Sequence, residues 1–213
     1  RACEASGFAR GLFKGSDLAG ISIGYFSRQR LRATKPEQEV WGDWADRLYE
    51  LGRLGHFRLL EKLGEGGMGI VFRGEDVNLR RPVAVKVMKP ALARKEAARQ
   101  RFLREARATA SLHSDYIVTV HHVGEDQGLP YLAMELLPGM ALDQWLITFP
   151  RPPLVQCVRI TRAAARGLAA AHERGLVHRD IKPGNIWLDP ATMRVKILDF
   201  GLARAAEHDV HLT

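Results

Sequence analysis

The chain has 213 residues, 46% of them apolar, enough for one ordinary domain or two small ones with a real core. A formal charge of +8 raises nucleic acid or acidic ligands as partners, but the excess is not blocky: residues 1–50 hold 8 basic and 7 acidic side chains. The densest basic stretch, 89–107, is interrupted by Glu96 and Glu105 at helical spacing and reads as a solvated helix face, which excludes nucleic acid as an expected partner.

Residues 1–50 begin rich in Gly and Arg and end in a short amphipathic pattern over 39–49, which predicts a linker or extension with one helix and no site. From Gly55 the texture changes. Phe57, Leu59, Glu61 and Leu63 alternate with their neighbours and predict a strand; a glycine cluster follows, and 70–74 predicts a second strand. A third covers 82–89, with Val83, Val85 and Val87 on one face and Ala84, Lys86 and Met88 on the other. Pro90 opens a helical pattern that runs to about 112. Strands are expected over 116–123 and 129–135, then helix, most clearly over 154–174, where Gly175 supplies the stop. Two short strands near 186–188 and 195–198 flank a turn at Asp189-Pro190. Five antiparallel strands around one helix, followed mainly by helix, predict an α+β fold in two lobes.

Cys3 and Cys157 form neither a disulfide framework nor a zinc set, and Cys157 shares an apolar stripe with Ile160, Ala164, Leu168 and Ala171, so a buried thiol in a reducing compartment is expected. No apolar run approaches the ~18 residues of a membrane span, and no signal-peptide pattern follows Arg1. The expectation is a cytoplasmic piece of a longer protein, with no membrane segment within it.

Three groups of residues carry chemistry. Gly64-Glu65-Gly66-Gly67-Met68-Gly69 fits G-x-G-x-x-G, in which glycine lets backbone N–H groups approach phosphate oxygens. A dinucleotide fold would open a helix here, whereas the pattern continues as a strand. The segment therefore reads as a hairpin flap over a nucleotide, with Val71 positioned to cover the base, or as a plain glycine-rich hairpin. Lys86 lies mid-strand in an apolar alternation, either on an exposed face or as a phosphate-holding cation oriented by a carboxylate. Glu105 on the following helix is the natural partner, although Arg99 and Arg101 compete for it locally. The third group is His178-Arg179-Asp180-Ile181-Lys182-Pro183-Gly184-Asn185 with Asp199-Phe200-Gly201. Asp180 can accept a hydroxyl proton, Lys182 can neutralise a transferring phosphate, and Asn185 and Asp199 supply the hard oxygens that magnesium prefers. His178 is expected in the core. His121-His122 and His172-Glu173 lack partners at metal spacing.

In that order, the glycine loop, Val83-Ala84-Val85-Lys86, Glu105, the stretch 178–185 and 199–201 resemble the eukaryotic-type protein Ser/Thr kinases in their bacterial style. The resemblance covers about 55–213 and implies a kinase domain over 51–213, with an N-lobe at about 55–136 and a partial C-lobe at about 137–213. It implies ATP and Mg2+ as cofactors and a Ser/Thr-bearing protein as acceptor. Lys86 would contact the α/β-phosphates and pair with Glu105, Asp180 would be the catalytic base, Lys182 would lie beside the γ-phosphate, and Asn185 and Asp199 would hold magnesium. Residues 64–69, Val71 and Ala84 would line the nucleotide. Met134 falls at the gatekeeper position, and Glu135 and Leu137 would offer backbone groups to adenine. Lys182 after the catalytic Asp resembles the Ser/Thr branch. Trp187 departs from the family, which usually places Leu beneath the base, so an indole there would narrow the pocket or stack on the ring. The family also continues past an activation segment into further helices, so the resemblance implies a domain incomplete at Thr213. The competing expectation is a nucleotide-binding regulatory or remnant module without efficient catalysis.

Overall fold

The computed structural model describes residues 52–200; the expected helix over 39–49, Cys3 and residues 201–213 lie outside the described residues. Six strands, β1 (Arg53–Leu54), β2 (Phe57–Glu65), β3 (Gly69–Asp76), β4 (Arg81–Met88), β5 (Val120–Asp126) and β6 (Leu129–Glu135), form one antiparallel sheet in the order β1-β2-β3-β4-β6-β5. Five were expected. The sixth, β1, is a two-residue strand pairing Leu54 with Phe57, too short for a period-two pattern to register. The strand expected from Tyr116 begins only at Val120, because the preceding backbone bonds elsewhere: Ile197 N–H donates to the Tyr116 carbonyl at 2.8 Å, and Val118 N–H to the Ile197 carbonyl at 3.0 Å.

Helix α1 (Pro90–Ala93) is separated from α2 (Glu96–Ala110) where a single helix was expected. Arg94 stays helical, and Lys95, at φ −89° and ψ 105°, turns extended, so the break barely disturbs the apolar periodicity that concealed it. Helix α2 buries Ala98, Phe102, Leu103, Ala106 and Thr109, the i, i+4, i+5, i+8, i+11 stripe of an amphipathic helix. This face packs with Ala84, Met88, Leu132 and Met134 of the sheet, where burying one phenylalanine such as Phe102 contributes roughly 1.5–3 kcal/mol. On the opposite face Val83, Val85 and Val87 pack with Phe57, Phe72 and Tyr131. Covered on both faces, β4 leaves Lys86, on the α2 side with Ala84 and Met88, only 8% exposed.

The second lobe contains β7 (Met140–Ala141), α3 (Leu142–Thr148), α4 (Leu154–His172), β8 (Ile186–Asp189) and β9 (Arg194–Ile197), with β7-β8-β9 as a small antiparallel sheet. Helix α4 lays Ile160, Ala164 and Ala171 into cores shared with Ile186, Leu188, Val195 and Ile197. It ends as expected: Gly175 adopts φ +71°, its N–H donates to His172 at 2.9 Å, and Leu176 N–H donates to Ala171 at 3.0 Å, a double-bonded stop that favours glycine. Cys157 is half-buried rather than buried, because full burial on α4 starts only at Ile160.

Between the lobes, Gly139 takes φ +99°, and a Cβ there would lie 2.2 Å from the Leu188 carbonyl oxygen and 2.8 Å from the Asp189 Cα. Both contacts are to backbone, so nothing can yield cheaply. Gly139→Ala is expected to destabilise the protein by ~2 kcal/mol or more, read as a lowered denaturant midpoint at unchanged slope.

Candidate active site

The glycine-rich segment is the turn of the β2–β3 hairpin, with Gly64 opposite Val71, Glu65 opposite Ile70, and Gly66 N–H donating to the Gly69 carbonyl at 2.9 Å. A Cβ at Gly64, Gly66 or Gly67 would meet nothing within 4 Å, and none of the three has positive φ. Neither packing nor backbone conformation therefore calls for glycine there, and what remains is unobstructed approach to the main chain, as a phosphate group requires. The tip is anchored. Met68 is buried in the cluster that contains Phe102, its carbonyl accepts Lys89 N–H at 2.9 Å, and the Glu65 carboxylate lies between Lys62 and Lys89, each at 2.7 Å.

Lys86 does not pair with Glu105. Its Nζ donates to Asp199 Oδ1 at 2.6 Å, across 113 residues of sequence. Among the described residues, Glu105 Oε2 is buried without a hydrogen-bond partner, and Arg99, the local competitor, instead binds Glu96 and Glu125. Burial pushes the Glu105 carboxyl above its usual value of 4.5, against the opposing pull of Arg101, Arg104 and Arg179. A carboxyl whose folded pKa is raised favours folding below its unfolded pKa, and that contribution is lost as pH rises through the folded value. At neutral pH, Glu105→Gln should therefore raise stability, read as a higher Tm, by removing the charge that burial disfavours. The difference should vanish as pH falls below about 4.5, where the wild-type carboxyl is protonated in both states; thermal melts across pH check it.

The 178–185 stretch is built around His178, 1% exposed. Its Nε2–H donates to the Leu198 carbonyl at 2.7 Å, its Nδ1 accepts Asp180 N–H at 3.3 Å, and its ring lies 4.7 Å from that of Phe200. Burial lowers its pKa, so the ring is neutral and works as a strut, in keeping with the expected core position. Asn185 Nδ2 donates to the Asp180 carbonyl at 2.8 Å and to its Oδ2 at 3.0 Å, and Lys182 Nζ lies 2.8 Å from the same Oδ2. The Lys182 contact holds the Asp180 carboxyl below its usual 3.8, leaving it ionised at neutral pH. Leu198 N–H donates to the Asn185 carbonyl at 2.9 Å, tying this loop to the segment that carries Asp199. Arg179 and Asp199 hold φ of +66° and +54°, a left-handed geometry costing about 1 kcal/mol or more per non-glycine residue.

The oxygen donors fit a hard cation. The Asn185 amide nitrogen is engaged by Asp180, which leaves its side-chain oxygen, and Asp199 keeps Oδ2 beyond the Lys86 contact. A neutral oxygen and a carboxylate on neighbouring segments suit magnesium better than a softer metal.

The link between lobes leaves β6 at Glu135. Met134 pairs with Ala84, and Val71, Ala84, Met134 and Leu137 share one apolar cluster. The Glu135 amide donates to the Thr119 carbonyl at 2.9 Å, and its carboxylate accepts Thr119 N–H at 2.7 Å and binds Lys196. Trp187 joins the link by donating its indole N–H to the Pro138 carbonyl at 2.7 Å. Four lysine contacts escaped the sequence reading: Lys62 and Lys89 on Glu65, Lys196 on Glu135, and Lys86 on Asp199 in place of Glu105. Of these lysines, Lys86 stood out in the sequence for its place in an apolar alternation, and Lys196 for lying between two apolar residues of the strand before Asp199.

The family model described as protein kinase domain matches residues 57–213. The serine/threonine-protein kinase PknL of Mycobacterium tuberculosis is 46% identical over 144 residues, covering 68% of this chain and 36% of that protein. Serine/threonine-protein kinase pkn2 of Myxococcus xanthus is 38% identical over 157 residues, 73% of this chain and 19% of that protein. Of these curated relatives the chain thus spans 36% and 19% of the length. The crystal structure of the Mycobacterium tuberculosis PknI kinase domain superposes with a TM-score of 0.64 at 33% identity, over 71% of this chain and 62% of that one.

Proposed function

The chain belongs to the protein kinase domain family, and we propose that the protein carrying it transfers the γ-phosphoryl group of ATP to serine or threonine hydroxyls of a protein substrate. The observation that supports this best is the pairing of Lys86 with Asp199 at 2.6 Å beside the Asn185–Asp180–Lys182 group, linked by contacts of 2.8 to 3.0 Å, with the two tied together where Leu198 N–H donates to the Asn185 carbonyl at 2.9 Å. In this reading the domain occupies 51–213, with the sheet and α2 as its upper lobe and residues 1–50 as an extension.

Each side chain has a task in it. The ionised Asp180 accepts and orients the hydroxyl proton of the acceptor. Lys182, already beside Asp180, neutralises charge on the transferring group, and Lys86 holds the α/β-phosphates. The backbone of 64–69 closes over the phosphates, Val71, Ala84, Met134 and Leu137 enclose the base, and Glu135 and Leu137 meet it through main-chain groups. Asn185 and Asp199 would hold Mg2+, which when bound offsets charge on the phosphate oxygens. Trp187 bounds the same pocket.

A second reading, nucleotide binding without efficient transfer, is favoured by one observation: Lys86 sits on Asp199, a proposed metal ligand, while Glu105 has no hydrogen-bond partner for its buried Oε2. The test is phosphate transfer from labelled ATP by the full-length protein, with and without Mg2+, beside a thermal-shift titration with Mg-ATP. Transfer abolished by chelating Mg2+ supports the kinase. A thermal shift without any transfer supports the second reading, and neither transfer nor a shift would refute both.

A further inference from the structure

One cross-strand pair in the second lobe reaches the interlobe link at both ends. Trp187 of β8 and Lys196 of β9 are direct register partners. Trp187 donates its Nε1–H to the Pro138 carbonyl at 2.7 Å. Lys196 donates to the Glu135 carboxylate and, at 3.2 Å, to the Ile117 carbonyl. Only Leu136 and Leu137 lie between the two gripped residues. The chain just beyond is also fixed, since Ala141 pairs with Trp187 and Met140 with Leu188.

Exposed ion pairs contribute little, because water and salt screen them and two long side chains must be ordered. The Lys196–Glu135 pair differs: the side chains are only 18% and 26% exposed, the ammonium has two oxygen partners, and the carboxylate is already oriented by Thr119 N–H. The Trp187 N–H likewise engages a main-chain carbonyl, which side-chain rearrangement cannot easily move. The Trp187 contact acts on the main chain of the link itself, while Lys196 acts through the Glu135 side chain.

We propose that Trp187 and Lys196 form a hinge anchor: positioning residues that fix the height and register of residues 135–138 and thereby set nucleotide affinity. The inference rests on the kinase reading, in which main-chain groups of Glu135 and Leu137 meet the base. A linker held at both ends presents those groups with little ordering left to do on binding, and such preorganisation strengthens affinity without a new contact. The anchor accounts for Trp187 differently from a stacking platform, because it assigns the effect to the indole N–H rather than to the ring face.

The test uses the full-length protein, a fluorescent ADP analogue titrated with Mg2+, and four variants: Trp187→Phe, Lys196→Met, the double variant and Lys196→Arg. Trp187→Phe and Lys196→Met should each weaken nucleotide binding roughly fivefold, the scale of one lost hydrogen bond, and raise KM for ATP more than they lower kcat. Because both grip one linker, the double variant should lose less than the product of the singles, and Lys196→Arg should recover most of the affinity. Lowered thermal midpoints with unchanged nucleotide affinity would make the pair mere scaffold and overturn the anchor. Wild-type affinity in Trp187→Phe would also overturn it, in favour of stacking. A wild-type protein that binds no nucleotide would instead overturn the kinase reading, and the anchor with it.

Discussion

Asp180→Asn is expected to lower kcat for phosphate transfer by roughly 10²–10⁴-fold, the range of a lost general base, while Mg-ATP still stabilises the protein in thermal shift. Asp180 Oδ2 accepts from both Lys182 and Asn185, at 2.8 and 3.0 Å. An amide of the same shape can offer one oxygen to those two donors, but it cannot take a proton from the acceptor hydroxyl. Its own nitrogen would face a donor if rotated the other way, so the orientation survives and the chemistry does not. The Asp180 backbone N–H and carbonyl contacts, to His178 and Asn185, are untouched by the change, which limits the structural cost. The pH dependence follows with the same sign. Because the Lys182 contact holds the carboxyl below 3.8, its ionised form contributes stability at neutral pH that is lost only as pH falls through that depressed value. The acid limb of the rate profile should accordingly lie well below neutrality. Full activity in Asp180→Asn, measured with labelled ATP and a protein acceptor, would remove the base from this mechanism.

Much of this arrangement was legible because it is local. The 178–185 stretch brings acid, cation and amide together within eight residues, and the 3-10 turn at Pro183–Asn185 is what such a sequence forms around a proline. Period-two alternation gave the two faces of β4, and the backbone freedom of Gly175 gave the end of α4. What was not legible depends on how elements dock. Whether Lys86 meets Glu105 or Asp199 depends on the placement of α2 against β4 and of the segment after β9, and both carboxylates are chemically suitable. The strand expected from Tyr116 fails for the same kind of reason: its backbone pairs with Ile197, 81 residues from Tyr116, and no local pattern announces that choice. Trp187 was singled out for its size, whereas its structural contact is made by its N–H edge, on a carbonyl 49 residues away.

The choice made by Lys86 leads to the other large expectation. Lys86→Met should reduce phosphate transfer by 10²-fold or more, the scale of losing an electrostatic group aimed at transferring charge, yet shift unfolding stability by no more than about 1 kcal/mol. Lys86 is 8% exposed, shares its strand face with Ala84 and Met88 and is paired with Leu132, so an unbranched apolar side chain of similar length suits its place without a desolvation penalty. Asp199 would lose its cation, but its side chain is 31% exposed and can be hydrated instead. The two terms oppose one another and are of similar size, hence the small net change. Activity has no such compensation. A divalent ion bound through the Oδ2 of Asp199 would repel the ammonium held on Oδ1 at 2.6 Å. Turnover in the proposed mechanism therefore requires Lys86 to leave Asp199, and Glu105, buried with an unpartnered oxygen on the neighbouring helix, is the carboxylate available to receive it. Glu105→Gln should then be more stable but slower, and Lys86→Met close to inactive at nearly wild-type stability. Denaturant melts paired with transfer rates on the same preparations separate the two. If Lys86→Met lost stability and activity in proportion, the lysine would be a structural cation, and the competition between Asp199 and Glu105 would not govern the reaction.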